Sequence, residues 1–495
     1  MNNLYTAKTD FPYQSAVTLF KKVQDGGAKV LFESHETDKE HGRLSLMGID
    51  PSLEIKGTNA DVTISLLNPR AKEVFDYLSH SFSDFIRQKS ETKIQFHIPK
   101  IPFTGNESDR FDRQNAAQVI RSILAQFKCD EKNFVGLYGA LGYNFIHQFE
   151  DVDNTKENVS ADFHLFLYDT IIFFNHLTKE TRLYCSRKDK NQAIKDSQEI
   201  IEHLLYSQPK EFPISDISDI NIEPSDEIFE SQIKQAKELC RLGELMEIVL
   251  ARKITAKFEG SPIHVYQKYK EVNPSPYMFY FDFQDEYILG ASPEIMVRYE
   301  EGKITLKPIS GTIKRGKNAI QDHERMMELL NSDKEKSELD MLIDLGRNDL
   351  SKVCQSGIEI EHYRKIEKYS HVFHTVAQLS GKLQAGRTGF DGLIACLNAG
   401  TLTGTPKVAA MRNIEKIETF SRGYYGGAIG YFLLDGDVNT AITIRTAHIK
   451  NNQLQYCSGA TLLYECDPKM ELKETNNKAA AFMSSIKDFT HEKVL

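Results

Sequence analysis

The sequence predicts an α+β fold in which large antiparallel sheets carry helices on their outer side. Strand-like stretches are joined by short polar turns, and the regular strand–helix alternation that builds a parallel sheet is not found. At 495 residues the chain is long enough for about two to four domains.

Individual stretches justify this fold class in chain order. "YQSAVTLFKKVQ" (13–24) is typical of a helix, and "FHLFLYDTIIFFNHLTKETRLYCS" (163–186) of two strands around a polar turn. "IFESQIKQAKELCRLGE" (228–244) predicts a helix, and "EIMVRYEEGKITLKPISGT" (294–312) predicts strands around turn residues. "GGAIGYFLLDGDVNTAITIRTAHIKNNQLQYCSGATLLY" (426–464) predicts a three-stranded antiparallel meander with turns at "DGD" and "KNN".

A stretch rich in Pro, Ser and Asp, "YSQPKEFPISDISDINIEPSDE", divides the chain. We interpret residues 206–227 as a linker between an N-terminal region, 1–205, and a C-terminal region, 228–495.

Composition excludes several classes of protein. The formal net charge of −9 argues against a nucleic-acid partner, although an anionic small molecule can still bind where a few cations converge. "MNNLYTAKTDFPYQ" lacks the basic and apolar regions of a signal peptide, and no apolar run approaches about 18 residues, so we expect a cytoplasmic protein. The seven cysteines contain no CxxC pair, which argues against a zinc site or a disulfide framework.

Two helix-like stretches share an acidic pattern. "SDKEKSELDML" contains Glu335 and Glu338, and "DPKMELKETNNKAAAF" contains Glu471 and Glu474. Residues three apart share one helix face, where like charges destabilise a helix by about 0.2–0.5 kcal/mol. If the two helices met, the four carboxylates would form a cup suited to a divalent cation such as Mg²⁺.

The same residues also fit a purely structural role. Ser332 three residues before Glu335 is a capping-box pattern, and Asp467 followed by Pro468 is a good helix start. Lys478 lies four residues after Glu474, which is the spacing of a stabilising ion pair. The residues alone leave both interpretations open.

Seven motifs occur in the order found in one enzyme family. They are "PYMFYF…GASPE", "PISGT", "LLNSDKEKSELDMLIDLGRND", "HVFH", "GTLTGTPK", "YGGAIGY" and "ELKETNNKA". In these motifs the chain resembles the chorismate-utilising enzymes, most closely the large subunits (component I) of anthranilate synthases. The resemblance is dense over residues 230–486 and looser in the N-terminal half.

The resemblance implies a fold, a metal and a set of site residues. The fold would be an orthogonal β-sandwich with outer helices, and the metal would be Mg²⁺, held directly by Glu338 and Glu474 and through water by Glu335 and Glu471. The implied catalytic residues are His374, Thr312 and Tyr425, with His374 as the proton-transfer group because histidine titrates near neutral pH. The implied substrate-binding residues are Gly311, Thr312, Thr401, Tyr425, Arg445 (in a predicted strand), Gly459, Thr461 and Lys478.

The implied reaction is Mg²⁺-dependent conversion of chorismate and ammonia to anthranilate and pyruvate, the first step of tryptophan biosynthesis. Isochorismate and salicylate synthases carry a lysine where this chain has Glu247, and aminodeoxychorismate synthases carry one where it has Ser310. Both differences disfavour those activities. Synthesis of 2-amino-2-deoxyisochorismate stays an alternative, since a related branch of the family stops at that amino intermediate. The chain also departs from the family pattern in "SGAT", where Thr461 stands at a position at which a pocket glycine is common. A non-catalytic relative is disfavoured because the four glutamates and His374 are all present.

The resemblance also implies a partner and an inhibitor. No cysteine lies in the G-x-C-x-G context of a glutamine amidotransferase, so ammonia would come from a separate amidotransferase subunit (component II) in a heterotetramer of two of each subunit. "LFES" and "NPSPYM" resemble a tryptophan feedback site at the seam of the two halves. Its implied residues are Ser34, Pro276, Tyr277, Met278, Ile429 and Tyr431.

Overall fold

The computed structural model describes residues 4–23, 27–34, 44–102, 110–128, 132–369 and 372–491. Its helices are α1 (Ala16–Lys22), α2 (Lys72–Ser81), α3 (Gln118–Gln126), α4 (Lys190–Tyr206), α5 (Asp226–Arg241), α6 (Ile263–Val272), α7 (Ala319–Asn331), α8 (Asp333–Ser351), α9 (Gly389–Cys396), α10 (Gly400–Thr403), α11 (Lys407–Ile417) and α12 (Pro468–Ile486). Short 3-10 helices cover Pro69–Ala71, Ser83–Phe85, Tyr143–Gln148 and Lys487–Phe489.

The strands of the described part follow in chain order. They are β1 (Tyr5–Phe11), β2 (Lys29–Glu33), β3 (Leu44–Gly48), β4 (Leu53–Thr58), β5 (Asp61–Leu66), β6 (Ile86–Lys89), β7 (Lys93–His97), β8 (Gly136–Leu141), β9 (Phe163–Tyr168), β10 (Thr170–Asn175), β11 (Glu180–Arg187), β12 (Asp216–Glu223), β13 (Glu247–Glu259), β14 (Tyr277–Asp282), β15 (Glu286–Ser292), β16 (Ile295–Glu300), β17 (Lys303–Leu306), β18 (Ile309–Lys314), β19 (Glu359–Lys368), β20 (Val372–Lys382), β21 (Gly404–Thr405), β22 (Ala428–Leu433), β23 (Val438–Ile442), β24 (Thr446–Lys450) and β25 (Gln453–Leu462).

These strands form two large antiparallel sheets. The first sheet has 12 strands in the order β1-β11-β10-β3-β2-β14-β15-β24-β25-β13-β12, with β21 paired to β13. The second has 13 strands in the order β18-β20-β17-β16-β23-β22-β8-β9-β4-β5-β7-β6, with β19 paired to β20. The predicted α+β class with large antiparallel sheets is confirmed.

Buried side chains sort into layers that place the helices outside the sheets. One apolar cluster lies between the sheets and contains Val30 and Phe279 of the first sheet with Tyr138 and Ile429 of the second. A second cluster joins the first sheet to α1, α4, α6 and α12, and a third joins the second sheet to α2, α3, α8 and α9. Each sheet thus buries both faces, which explains why many strands are apolar throughout.

The two halves of the chain share both sheets. In the first sheet β14 pairs with β2, and in the second β22 pairs with β8. The segment 206–227, predicted as a linker, contains the strand β12, which pairs with β13 and closes one edge of the first sheet. The Pro-rich composition did not prevent this strand, because the prolines of the segment (Pro209, Pro213 and Pro224) all lie outside β12.

Two sequence predictions about local topology are wrong, because in each stretch the chain passes from one sheet to the other. The stretch 163–186 forms three strands, because β9 belongs to the second sheet and β10 to the first. The chain changes sheet at Asp169, whose buried carboxylate accepts hydrogen bonds from Arg70 Nε at 2.9 Å and Arg187 Nη1 at 3.1 Å. Likewise 426–464 is not a meander: β22 and β23 lie in the second sheet, whereas β24 and β25 lie in the first.

A fully buried carboxylate, Glu286 on β15, ties the two sheets together. Its Oε1 lies 2.7 Å from His164 Nδ1 on β9, and its Oε2 lies 2.9 Å from His448 Nε2 on β24. His164 Nε2 lies 2.9 Å from Glu54 Oε1 on β4. Burial opposes the protonated imidazole, but the bonds to Glu286 and Glu54 outweigh it and raise the pKa of His164.

Two further features of the described residues concern the cysteines and the potential to span a membrane. The six cysteines in the described ranges are free thiols, and Cys129 lies outside those ranges. Within the described part of the chain, no helix combines the length and apolarity needed to cross a membrane.

The raised pKa of His164 predicts a pH-dependent stability. Its charge contributes fully below the ordinary pKa of 6.5 and is lost as pH rises through the higher folded-state pKa. We expect the gap in unfolding free energy between the native protein and His164→Gln, measured by urea denaturation, to be largest near pH ~6 and to shrink towards pH ~9. His362→Gln, at an exposed position, is the control. A gap independent of pH would contradict a charged His164.

Candidate functional site

The paired glutamates stand at the N-terminal ends of α8 and α12. Ser332 caps α8, its Oγ accepting from the amide of Glu335 at 3.3 Å. Asp467 caps α12 by accepting from the amides of Lys469 and Met470, each at 3.0 Å. The predicted cap at Asp467 is confirmed, as is the Ser332 half of the predicted capping box, but among the described contacts the Glu335 carboxylate makes no bond back to the Ser332 amide. The two caps fix where the first turns of both helices present their carboxylates.

These carboxylates face one another across the space between the helix ends. Burial and the negative charge of Glu335 raise the pKa of Glu338 to about 7. Burial and Glu474 likewise raise the pKa of Glu471, and burial raises that of Glu335, with a further contribution from Glu474. The two helices thus bring the predicted set together into one acidic cluster.

The acidic cluster is a candidate cation site, but its carboxylate oxygens do not form a compact group of three or more ligand atoms. Among the described residues, no three of these carboxylates have ligand oxygens within 4.8 Å of one another. Mg²⁺ keeps several waters and takes few protein oxygens directly, so a site for it does not need three carboxylates in close contact. Lys334 and Lys478 partly offset the negative charge, and Lys478 Nζ lies 2.8 Å from Glu474 Oε1, as the spacing predicts.

A strand pair carries Gly311, Thr312 and His374 to the edge of this cluster. Gly311 on β18 has a φ of +63°, and a Cβ there would lie 2.8 Å from Glu335 Oε2. His374 on β20 stands opposite Thr312, with its Nδ1 2.9 Å from Thr312 Oγ1 and 3.3 Å from the Gly311 carbonyl oxygen. Only glycine combines this backbone conformation with this close approach.

The environment of His374 differs from the expectation of a group titrating near neutrality. Burial, with the nearby positive charge of Arg445, lowers the pKa of His374 to about 4 against the opposing bond to Gly311. The imidazole is therefore neutral at pH 7, which is the form that can accept a proton, but a pKa of about 4 makes it a weak base in the free site.

Thr401 on α10 leads to a residue that the sequence interpretation missed. Its Oγ1 lies 3.2 and 3.3 Å from the two carboxylate oxygens of Glu294, the last residue of the "GASPE" motif. Glu294 is buried, and burial raises its pKa to about 8 despite the bonds from Thr401 and the Ile309 backbone and the charge of Lys478. The "GASPE" motif includes Glu294, but the protonation of its carboxyl at pH 7 follows only from its burial in the fold.

Tyr425 and Gly459 meet on the far side of the site. A Cβ at Gly459 on β25 would lie 2.7 Å from Tyr425 Oη and 3.0 Å from the Leu250 carbonyl oxygen. Thr461 is two residues along β25 and therefore on the same face. Lys478 Nζ donates to the Gly459 carbonyl at 2.9 Å, which joins this wall to the acidic cluster.

Arg445 is near the site but not in a strand, which corrects that expectation. It lies between β23 and β24, where the chain changes sheet, and its φ of +52° belongs to a bend. Its positive charge acts on both His374 and Tyr425. Its guanidinium has no hydrogen bond or ion pair with another described side chain, so it can serve a bound anion.

Glu247 extends the acidic cluster. It begins β13, is buried, and faces Glu338 and Thr405. Burial and then the charge of Glu338 raise its pKa to about 8.

The residues predicted for an inhibitor site gather at the seam between the sheets, with one exception. Tyr277, Ile429 and Tyr431 pack on the inter-sheet cluster, and Ser34 and Pro276 end or precede strands beside it. Met278 alternates to the opposite face of β14 and packs with the α6 side of the first sheet. Its side chain therefore cannot line the same pocket, although its backbone borders it.

The close approach of Gly459 to Tyr425 predicts that a substitution at position 425 will partly offset the loss of stability caused by a substitution at position 459. Gly459→Ala places a methyl group 2.7 Å from Tyr425 Oη, so we expect a loss of about 1–3 kcal/mol in unfolding free energy, measured by urea denaturation. Tyr425→Phe removes the clashing oxygen, and part of the loss should be regained in the double variant. Equal losses with Tyr and with Phe at position 425 would mean that the Leu250 carbonyl alone causes the strain.

The chain is similar to known proteins over nearly its whole length. The family described as chorismate binding enzyme matches residues 78–484. Anthranilate synthase component 1 of Aquifex aeolicus (strain VF5) is 35% identical over 489 residues, which cover 96% of this chain and 92% of that protein.

Solved structures share the fold. Anthranilate synthase component I from Streptococcus pneumoniae TIGR4 superimposes with a TM-score of 0.74 at 25% identity, covering 95% of this chain and 97% of that one. The menaquinone-specific isochorismate synthase of Escherichia coli gives a TM-score of 0.67 at 17% identity, covering 98% and 95%, and shows the fold alone. With the family match spanning most of its length and the paired glutamates, Glu294 and Tyr425 gathered around one site, the chain belongs to the chorismate binding enzyme family.

Proposed function

We propose that this protein converts chorismate and ammonia to anthranilate and pyruvate in a Mg²⁺-dependent reaction. The observation that carries the proposal is the meeting of the paired glutamates of α8 and α12 beside a separate wall of neutral and cationic donors. Relatives that cover nearly the whole chain are named anthranilate synthase component 1, which supports this product over others of the family.

The acidic cluster fits the metal. Glu338 and Glu474 would bind Mg²⁺ directly, and Glu335 and Glu471 would bind it through water. Bound there, the ion would neutralise the cluster and hold one carboxylate of chorismate.

The opposite wall fits the second carboxylate of chorismate. Arg445, whose guanidinium is not engaged by described side chains, would pair with it in a fork of two hydrogen bonds. Tyr425 and the backbone around Gly459 would place the ring, with Thr461 on the same face. Thr312 beside His374 and Thr401 beside Glu294 complete the walls, and Lys478 bridges them to the acidic cluster.

The unusual protonation states of Glu294 and His374 suit two of the proton transfers that the reaction needs. Ammonia attacks ring carbon 2 while the 4-hydroxyl leaves as water, and Glu294, protonated at pH 7, would supply that proton. Elimination then removes the proton at carbon 2 as the enolpyruvyl group departs. His374, neutral at pH 7, would accept that proton. A final proton on the enol carbon completes pyruvate.

Ammonia would come from a partner subunit that hydrolyses glutamine. No cysteine of the sequence lies in the tight-turn context of such an enzyme, and four of the six described cysteines are buried. We therefore propose a component II partner and an assembly with two copies of each subunit.

Other products of the family remain weaker proposals. A synthase of 2-amino-2-deoxyisochorismate would use the same site and omit the elimination. Isochorismate and aminodeoxychorismate synthesis are disfavoured by Glu247 and Ser310, which replace the lysines of those enzymes.

The first test is an assay of the purified chain with chorismate, Mg²⁺ and ammonium. Anthranilate fluorescence should rise in step with chorismate loss and stop when the metal is chelated. Glu338→Gln should lower kcat/KM by at least about 100-fold, because it removes a direct ligand. Asp344→Asn removes one charge from an exposed position on the same helix and should leave the rate unchanged.

Two results would contradict the proposal. Chorismate loss without fluorescence would indicate the amino intermediate or isochorismate, which mass analysis distinguishes. Full activity in Glu338→Gln would exclude the acidic cluster as the metal site.

We further propose that tryptophan binds at the seam and disfavours chorismate binding. The segment "YGGAIGY" touches both sites, through Tyr425 at one end and through Tyr431, which packs edge-on against Phe32 at 6.0 Å, at the other. A ligand at the seam would shift β22 and, with it, Tyr425.

The chain contains no tryptophan, so bound tryptophan can be observed directly. Added L-tryptophan, which can be excited selectively, should show a saturable rise in fluorescence anisotropy. Ser34→Phe should abolish this rise, and Ser90→Phe, at an exposed position, should preserve it. Saturating tryptophan should weaken apparent chorismate affinity by a coupling of about 1–3 kcal/mol. Unchanged chorismate affinity would exclude the coupling even where tryptophan binds.

A further inference from the structure

The buried carboxylate of Glu286 contacts more than the two histidines that join the sheets. Tyr424 Oη donates to its Oε1 at 3.0 Å, and Lys56 and Lys450 lie at 3.7 and 3.5 Å from its two oxygens. Donors from β4, β9, β24 and the turn before β22 thus converge on one side chain. We call Glu286, His164, His448 and Tyr424 the Glu286 hub.

The Glu286 hub is not a metal site. The ligand atoms of His164, Asp285 and Glu286 do lie within 4.8 Å of one another. However, two lysines already share the Glu286 carboxylate, and Lys56 donates to Asp285 at 3.1 Å. These cations would repel a metal ion, and both oxygens of Glu286 are already engaged.

The Glu286 hub reaches the substrate site through the backbone of one turn. Tyr424 is followed directly by Tyr425, and within the turn the Gly427 amide donates to the Tyr424 carbonyl at 3.0 Å. On its other side the turn is held by Arg422, which pairs with the buried Glu418 and lies 5.6 Å from the Tyr425 ring centroid. Tyr424 and Arg422 therefore anchor the two sides of the turn that carries Tyr425.

We propose that Glu286 is a positioning residue: by binding Tyr424 Oη it holds the 422–427 turn so that the Tyr425 hydroxyl stays over Gly459. The inference rests on the proposed function in one respect, namely that Tyr425 contacts the substrate. The anchoring of the turn itself is independent of any reaction. Because donors from both halves of the chain meet on Glu286, the position of Tyr425 depends on the junction of the two sheets.

The anchor is tested without substrate by hydrogen–deuterium exchange of peptides covering 422–428. Tyr424→Phe removes one hydroxyl and leaves the ring, so the fold should be retained. We expect exchange in these peptides to speed up about fivefold or more, as the loss of a hydrogen bond to a charged group predicts. Tyr266→Phe is the matched control, since Tyr266 Oη donates to the buried Glu33 at 2.6 Å far from this turn. Unchanged exchange in Tyr424→Phe would overturn the proposal.

The positioning of Tyr425 is tested by a double-mutant cycle on the reaction. Tyr424→Phe should raise KM for chorismate about fivefold in the native background and have little effect in Tyr425→Phe, because there the hydroxyl being positioned is gone. Tyr266→Phe should leave KM unchanged. Independent, multiplying effects of the two substitutions would overturn the positioning role. If the native protein showed no activity, the proposed function would fail, while the exchange experiment would still decide whether Glu286 anchors the turn.

Discussion

Backbone pairing between the two halves of the chain is the constraint on which the other features depend. The bonds of β14 to β2 and of β22 to β8 make each sheet continuous only when both halves are present. The apolar cluster between the sheets, the seam beside Tyr277 and the Glu286 hub all draw residues from both halves. A half alone would expose two long strand edges and would lose every one of these contacts.

The acidic cluster at the candidate site carries a cost in stability. Burial, together with the repulsion between neighbouring carboxylates, raises the pKa values of Glu335, Glu338 and Glu471. The charged forms of these carboxyls are therefore less stable in the folded protein than in water. Natural proteins break local rules of this kind mainly at functional sites. The proposed cation would remove the repulsion, which links metal binding to the stability of the ends of α8 and α12.

Several features of the site follow from where the chain changes sheet. Arg445 faces the site because the backbone bends between β23 and β24, and Asp169 plays the corresponding structural part between β9 and β10. Neither crossing is visible in the sequence, because an apolar run predicts a strand equally well in either sheet. Tyr277 and Met278 are neighbours in one motif, but successive side chains of β14 point to opposite faces of the sheet. The two residues therefore lie in different layers.

The resemblance of its ordered motifs to one enzyme family implied most of the residues that surround the site. The sequence by itself determined the fold class and the helix caps at Ser332 and Asp467. These are local matters of propensity, capping and motif spacing, which neighbouring residues decide. Only the tertiary structure decided the sharing of the sheets, the neutral state of His374, the protonated state of Glu294 and the convergence on Glu286. Burial and long-range charge set these properties, and both arise between residues that belong to different elements and are far from neighbours in the chain.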